Sequence, residues 1–143
     1  MAGGVVWGAV ALGLAWSIVT CWYDLKYARL PNWLTLPLCV VAVIAVAFEP
    51  FLSVGMLWPA TYLLFGQGIG GGDIKLALPL GVASAAAGGF IGVIAALFIS
   101  SFCTVCFALL VRSRRVPHGP SMVLASWAVI GIYAGNCIFS WEV

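Results

Sequence analysis

Long apolar segments, separated by short ones that contain glycine, proline or charge, constrain the fold of this chain more than any other feature. The first charged residue is Asp24, and the 143 residues include only six basic and four acidic ones. Soluble domains carry roughly 25% charged residues, against 7% here, so polar groups cannot cover a soluble surface. The sequence therefore predicts an all-α, polytopic membrane protein whose partner is the lipid bilayer. A net charge of +2 is too small to indicate nucleic-acid binding.

We interpret the apolar segments as about six transmembrane helices, because each spanning helix needs ~20 apolar residues. They form a single transmembrane domain over residues 1–143, with no room for a soluble domain of useful size. The first apolar segment lacks the basic region of a signal peptide, so we expect it to be retained as a span. The predicted spans cover residues 4–23, 33–48, 51–65, 74–87, 90–111 and 121–139.

Proline and glycine set the boundaries between these spans. Without a stop, residues 33–65 would form a helix ~50 Å long, far beyond the ~30 Å hydrocarbon core. We therefore expect a hairpin with Glu49 and Pro50 at its tip. The glycine-rich segment GQGIGGGD (66–73) cannot comfortably continue a helix, and Gly88-Gly89 ends the fourth span.

Every basic residue falls on one side of the membrane in this arrangement. In or next to the loops after the first, third and fifth spans lie Lys26, Arg29, Lys75, Arg112, Arg114 and Arg115, whereas the other side carries Glu49 and Glu142. The positive-inside rule assigns the basic side to the cytoplasm. A missed or invented span would scatter the basic residues over both sides. The sequence therefore predicts a multi-pass protein of the inner or plasma membrane with both termini extracytoplasmic.

Two of the four acidic residues, Asp24 and Asp73, are predicted to lie at the same depth near the cytoplasmic interface. Carboxylates near hydrocarbon are energetically costly unless they are paired or reach water, so they are candidates for a functional site. Two carboxyl groups held close together cannot both ionise easily, so one can act as a base while the other delivers a proton. This pattern is typical of aspartic peptide hydrolysis, which needs no metal or cofactor. Taken singly, Asp73 could instead cap the following helix, or either acid could pair with Lys26 or Lys75.

Three sequence elements on this side resemble motifs of one family. GGGDIK (70–75) matches the pattern GxGDxK, DLKYARLPN (24–32) matches an aspartate followed by basic residues and Leu-Pro-Asn, and VPHGP (116–120) matches a proline-glycine loop. The chain resembles the prepilin peptidases, the type IV prepilin leader peptidase family of GxGD membrane aspartic proteases. It resembles the short form found with Flp or Tad-type pili, because the short segment 24–32 leaves no room for the cytoplasmic zinc and methyltransferase domain.

The resemblance implies a membrane aspartic endopeptidase with Asp24 and Asp73 as catalytic residues and no cofactor or metal. It also implies a substrate: a pilin-like precursor with a short basic leader followed by a hydrophobic helix, cleaved at the cytoplasmic membrane face. The oligomeric state stays open. The supporting residues that we select around the dyad are Gly70, Gly72, Lys75, Arg29, Pro31, Asn32, Pro117, Gly119 and Pro120.

Physical roles follow for several of these neighbours. Gly70 and Gly72 permit unusual backbone conformations and leave room for a substrate backbone, although a plain flexible loop has the same composition. Pro31 and Asn32 suit the turn that starts the second span. Lys75 and Arg29 either tune the charge of the acids or anchor at lipid headgroups.

Two further features have simpler interpretations. His118 replaces the aromatic residue usual in the family's loop, and we expect a planar packing substitute rather than a catalytic group. Cys103 and Cys106 have the spacing of half a zinc or redox site, but they share one face of an apolar helix with no second ligand pair. We expect them to serve packing.

Two other functions remain as alternatives. An intramembrane protease of the presenilin or signal-peptide-peptidase kind shares GxGD and the Tyr23-Asp24 pair, but has more spans and a Pro-Ala-Leu element that this chain lacks. A small proton-coupled transporter would use the carboxylates as relay groups, but transporters usually place such groups near the midplane and show internal repeats.

Overall fold

The structure is a computed structural model that describes residues 2–66, 69–112 and 116–139. Every regular element among these residues is a helix, as the sequence predicts. The elements are α1 (Ala2–Tyr27), α2 (Asn32–Phe48), a 3₁₀ helix (Pro50–Met56), α3 (Leu57–Phe65), α4 (Gly71–Val111) and α5 (Gly119–Phe139).

The predicted break at Glu49 and Pro50 is confirmed. Helix α2 ends at Phe48, and Glu49 has a non-helical backbone with φ −127° and ψ 87°. The predicted span 51–65 has two parts, because the chain first forms the 3₁₀ helix and then α3. Proline suits the first turn of such an element because it has no N–H to leave unpaired.

Helix α4 contains the second predicted boundary. Its backbone leaves helical geometry at Gly88 and Gly89, where Gly89 has φ 59° and ψ −145°. A Cβ placed on Gly92 would lie 2.6 Å from the carbonyl oxygen of Ser84, whereas a straight helix would separate two such residues by about 12 Å along its axis. The chain therefore folds back at the two glycines, as the predicted end of one segment at 87 and start of the next at 90 require.

Helix α4 forms the centre of the bundle and contacts α5, α2, α3 and the 3₁₀ helix. Small residues allow these backbones to approach closely: a Cβ on Gly55 would lie 2.5 Å from the carbonyl carbon of Gly81. Around this point the largest fully buried side chains are Trp58, Leu76, Met122, Val93 and Val129. The core that they form fixes the start of α4, which contains Asp73.

Helix α1 packs mainly against α5. The indole N–H of Trp127 donates a hydrogen bond of 2.9 Å to the hydroxyl of Ser17. The indole N–H of Trp16 donates one of 3.0 Å to the carbonyl of Leu34 in α2. These contacts place the last turn of α1, which contains Asp24, beside the start of α5.

The outer surface is largely apolar, with side chains such as Phe98, Phe102 and Leu110 exposed. Among the described residues, two helical stretches are long and apolar enough to cross a bilayer, Trp7–Tyr27 and Gly71–Val111. Shorter apolar helices cover Asn32–Phe48, Pro50–Phe65 and Gly119–Ala134. The predicted number of membrane crossings and their direction stay predictions.

Two helix boundaries differ from the sequence-based expectation. Helix α1 continues one turn beyond residue 23 and ends at Tyr27, where Ala28 adopts a left-handed backbone with φ 48°. The glycine-rich segment separates α3 from α4 as expected, but α4 begins at Gly71 rather than at residue 74. Gln67 and Gly68 of the same segment lie outside the described residues.

Candidate active site

Asp24 lies in the last turn of α1, and only 5% of it is exposed. The backbone N–H of Gly119, the first residue of α5, donates a hydrogen bond of 2.9 Å to Asp24 Oδ2. N–H groups in the first turn of a helix have no partner within the helix, and they favour negative charge. Glycine allows this close approach: a Cβ on residue 119 would lie 2.8 Å from the same oxygen, so the carboxyl group or the helix start would have to move.

Asp73 is the third residue of α4 and is partly buried. The residue that precedes the helix is Gly70, whose carbonyl accepts the N–H of Asp73 at 3.0 Å. Among the described residues, no side-chain hydrogen bond caps this helix start, so capping by Asp73 is not favoured. Asp73 nevertheless occupies the first turn, where the helix dipole favours an acidic group.

Both aspartates line one cavity of about 230 Å³. Water occupies about 30 Å³ per molecule in the liquid, so this volume holds several waters or part of an extended peptide. The walls come from the end of α1 and from the glycine-rich start of α4. The residues that line the cavity are Asp24, Ala28, Arg29, Leu30, Gly70, Gly71, Gly72 and Asp73. The convergence of two carboxyl groups far apart in sequence gives this cavity the groups needed for general acid and base chemistry.

A second cavity, of about 320 Å³, adjoins the first because Gly70 and Asp73 line both. Its other walls include Tyr62 of α3, Thr104 of α4 and His118. Asp73 therefore lines two spaces, one shared with Asp24 and one bounded by both polar and apolar side chains.

His118 lies between two hydroxyl groups in this second cavity. Its Nε2 is 2.6 Å from the hydroxyl oxygen of Tyr62, and its Nδ1 is 2.6 Å from Oγ1 of Thr104. The Thr104 hydroxyl in turn donates to the carbonyl of Ser100 at 2.9 Å. Burial lowers the pKa of the His118 imidazole below its usual value, because removal from water disfavours the charged ring. The sequence suggests that the planar ring of His118 serves packing. In the structure each of its two nitrogens also contacts a hydroxyl group.

The remaining predicted residues lie around the same end of the bundle. Lys75 Nζ donates a hydrogen bond of 2.8 Å to Asn32 Oδ1 and so connects the starts of α4 and α2. Pro31 precedes α2, and its carbonyl accepts the N–H of Leu34 at 3.0 Å. Arg29 is exposed beside the first cavity. Pro117 lies in the segment before α5, and Pro120 is the second residue of that helix.

We expected Gly70 and Gly72 to adopt backbone conformations that other residues avoid, but both have ordinary conformations. Gly70 has φ −65° and ψ 141°, which any residue adopts, and Gly72 is helical. A Cβ on Gly72 would lie 3.1 Å from Cβ of Leu30. Gly72 thus allows the segment after α1 to pack against the start of α4, and this packing brings the two cavity walls together.

Lys26 lies over the rings of Trp22 and Tyr27, with Nζ 4.6 Å and 5.3 Å from their centres. Together with the Lys75–Asn32 hydrogen bond, this contact gives both lysines a partner other than an aspartate.

Cys103 and Cys106 are partly buried in α4 as free thiols. Among the described residues, no cluster of three potential metal ligands was found.

Sequence reasoning missed Tyr62, Thr104 and Ala28. A polar group within an apolar helix is a candidate for function, but that signal applies equally to other buried polar residues such as Ser84. Only the folded chain shows that Tyr62 and Thr104 meet at His118.

The profile of the type IV leader peptidase family matches residues 11–109. The match includes both aspartates and the glycine-rich segment between α3 and α4. The chain belongs to the type IV leader peptidase family. No curated protein and no solved structure matches the chain significantly.

Membership of this family makes the chain a protease, and the apolar helices make it an integral membrane protein. The proline-glycine loop at 116–120 lies beyond the matched range. Its connection to the site comes instead from the structure, through the hydrogen bond from Gly119 to Asp24.

Proposed function

We propose that this leader peptidase is an aspartic endopeptidase in which Asp24 and Asp73 form the catalytic dyad. One observation supports the proposal above all: both carboxyl groups line a single cavity of about 230 Å³ although α1 and the start of α4 are distant in sequence. Family membership supplies the reaction class, and the cavity supplies candidate groups for it.

The chemistry requires only the two carboxyl groups and a water. One carboxylate takes a proton from the water as its oxygen bonds to the peptide carbonyl carbon, while the other carboxyl group protonates the carbonyl oxygen. The C–N bond then breaks, and the amine leaves with a proton from the dyad. The Gly119 amide orients Asp24 in this process, and the α4 N-terminus favours negative charge at Asp73.

The proposed substrate is a pilin-like precursor with a short basic leader and a hydrophobic helix. The dyad lies where α1 ends and α4 begins, so a substrate helix in the bilayer would present the junction with its leader at this depth. The apolar outer surface of the bundle suits a helical substrate within the membrane. Cleavage at that junction leaves the apolar helix of the product embedded.

We further propose that the chain crosses the membrane about six times, with the dyad facing the cytoplasm. The reversal at Gly88-Gly89 supports two crossings within α4, each of ~20 residues as a span requires. The basic residues Lys26, Arg29 and Lys75 accompany the dyad on one side, which the positive-inside rule assigns to the cytoplasm.

Co-expression with a tagged pilin-like precursor from the same genome tests the function. We expect Asp24→Asn and Asp73→Asn each to lower processing by at least about 100-fold, the lower range for loss of acid–base catalysis. Glu49→Gln is the matched control, because it also removes an acidic charge but lies at the helix break after α2. Normal processing by either Asp variant, at equal levels of membrane protein, would reject the dyad.

The position of the cleaved bond separates this function from the alternative intramembrane proteases. Mass spectrometry of the mature product should locate the new N-terminus just before the apolar helix. A new terminus within that helix would favour the presenilin-like reaction, which family membership does not support.

A further inference from the structure

We propose that His118 is a positioning residue: Tyr62 and Thr104 hold its neutral ring between them, and the ring fixes the Gly119 amide against Asp24. This inference rests on the proposed function, because it concerns how one carboxyl group of the dyad is held. It differs from the expectation that His118 merely replaces a packed aromatic ring.

The hydrogen bonds define which ring nitrogen carries the proton. The single hydroxyl proton of Thr104 goes to the carbonyl of Ser100. Thr104 Oγ1 must then accept a proton from Nδ1 of His118, which lies 2.6 Å away. In the neutral ring Nε2 has a free lone pair, so it accepts the hydroxyl proton of Tyr62 at 2.6 Å.

All four groups in this chain of hydrogen bonds have a partner. The chain runs from Tyr62 in α3, through His118, to Thr104 and Ser100 in α4. A buried polar network with every member satisfied is rigid and favours a single arrangement. Three parts of the bundle are therefore joined at the His118 ring.

The backbone of His118 transfers this rigidity to the dyad. Its carbonyl accepts the N–H of Met122 at 3.2 Å, which is the first backbone hydrogen bond of α5. The next residue is Gly119, whose N–H reaches Asp24 Oδ2. Fixing the ring consequently fixes both the first turn of α5 and the direction of the amide that contacts the carboxyl group.

His118 does not need to touch the substrate to act in this way. A misplacement of catalytic groups by about 1 Å can cost on the order of 100-fold in rate. Loss of the two hydroxyl contacts should therefore lower kcat, whereas the binding of a precursor through its leader and apolar helix should change little.

The deciding variant is His118→Phe, because phenylalanine preserves a planar ring of similar size without either hydrogen bond. We expect its kcat to fall by about 10-fold to 100-fold with KM unchanged, measured on the purified protein in proteoliposomes with a tagged pilin-like precursor. His118→Asn keeps an N–H donor near the position of Nδ1, so it should retain more activity than His118→Phe.

Single-hydroxyl variants test the same network with less risk to folding. Tyr62→Phe and Thr104→Val should each lower kcat, and their double variant should lose no more than His118→Phe, because both act through one ring. Two variants are matched controls: Thr61→Val removes a hydroxyl that donates to the Leu57 carbonyl in its own helix, and Tyr133→Phe removes one from a ring of α5 that lies against Gly88. Both controls should process the precursor at the wild-type rate.

Two outcomes separate this inference from the proposed function. Wild-type kcat in His118→Phe, in Tyr62→Phe and in Thr104→Val, together with an inactive Asp24→Asn, would overturn the role of His118 and leave the dyad intact. Normal cleavage by Asp24→Asn would overturn the proposed function itself. Thermal unfolding of each variant in detergent identifies any loss of activity that comes from loss of the fold.

Discussion

Gly119 and Asp24, which are 95 residues apart, are joined by a hydrogen bond of 2.9 Å from the amide of the first to Oδ2 of the second. The contact ties the N-terminus of α5 to the last turn of α1. Asp24 is almost fully buried apart from the cavity that it lines with Asp73, and this amide is a defined partner for its carboxyl group. The start of the last helix is thus part of the candidate active site.

Replacing Gly119 with alanine should slow processing without unfolding the protein. The added Cβ would lie 2.8 Å from Asp24 Oδ2, so either the carboxyl group or the start of α5 must move. We expect precursor processing to fall by about 10-fold or more, as expected for misplaced catalytic groups. Gly131→Ala is the matched control on the same helix, because a Cβ there meets nothing within 4 Å. Wild-type processing by Gly119→Ala would show that the close approach is unimportant.

Replacing Ala28 with glycine should stabilise the protein. Ala28 has φ 48°, a left-handed conformation that costs most L-residues roughly 1–2 kcal/mol but glycine almost nothing. The free energy of unfolding in detergent should therefore rise by up to about 1 kcal/mol. Ala15→Gly, in the exposed middle of α1, should lower it by about 1 kcal/mol, since glycine is a poor helix former. If both substitutions change the free energy of unfolding in the same direction, the left-handed conformation at Ala28 would be contradicted.

These residues also show what local sequence can and cannot predict. The breaks at Glu49-Pro50 and Gly88-Gly89 were predictable because proline and paired glycines disfavour helix through their own backbone chemistry. The ends of α1 and α4 were not, because they depend on contacts between segments. Gly72 enters a helix where its missing side chain makes room for Leu30, and only the folded chain contains that contact.

The residues of the candidate site also fall into those that the sequence could predict and those that it could not. Asp24 and Asp73 were predictable as a pair, because charge is so rare in this chain that each acid needs a reason. The partners of His118 were not, since Tyr62 and Thr104 look like any other polar residue in an apolar segment. Their importance comes from meeting one ring, with Tyr62 56 positions away from it and Thr104 14 positions away.

Acidification should destabilise the protein through His118. The ring is held neutral in the fold, and burial lowers its pKa, whereas the unfolded imidazole titrates near its ordinary pKa of about 6.5. Between the lowered pKa and about 6.5, the unfolded state binds more protons, so stability falls as the pH falls. The contribution is complete above about pH 6.5 and is lost as the pH drops through the folded-state value.

Comparison with His118→Phe isolates this contribution from other titrating groups. Tyr62 and Asp73, which line the same cavity, are present in both proteins, so their own effects largely cancel in the difference. We expect the stability advantage of the wild type, measured by thermal unfolding in detergent, to shrink from about pH 8 to about pH 5. A difference that stays constant over this range would show that the folded protein tolerates the protonated ring.

The orientation of the bundle can be tested by labelling single cysteines at its two ends. Lys26 lies in the last turn of α1, like Asp24, and Glu49 lies at the break after α2; both residues are exposed. If the basic side is cytoplasmic, a membrane-impermeant maleimide added to intact cells should label Glu49→Cys. It should label Lys26→Cys only after the membrane is permeabilised. The background protein needs its five native cysteines replaced by alanine and must still process the precursor. Labelling of both positions from outside would place the dyad on the wrong side for a leader that is cleaved in the cytoplasm.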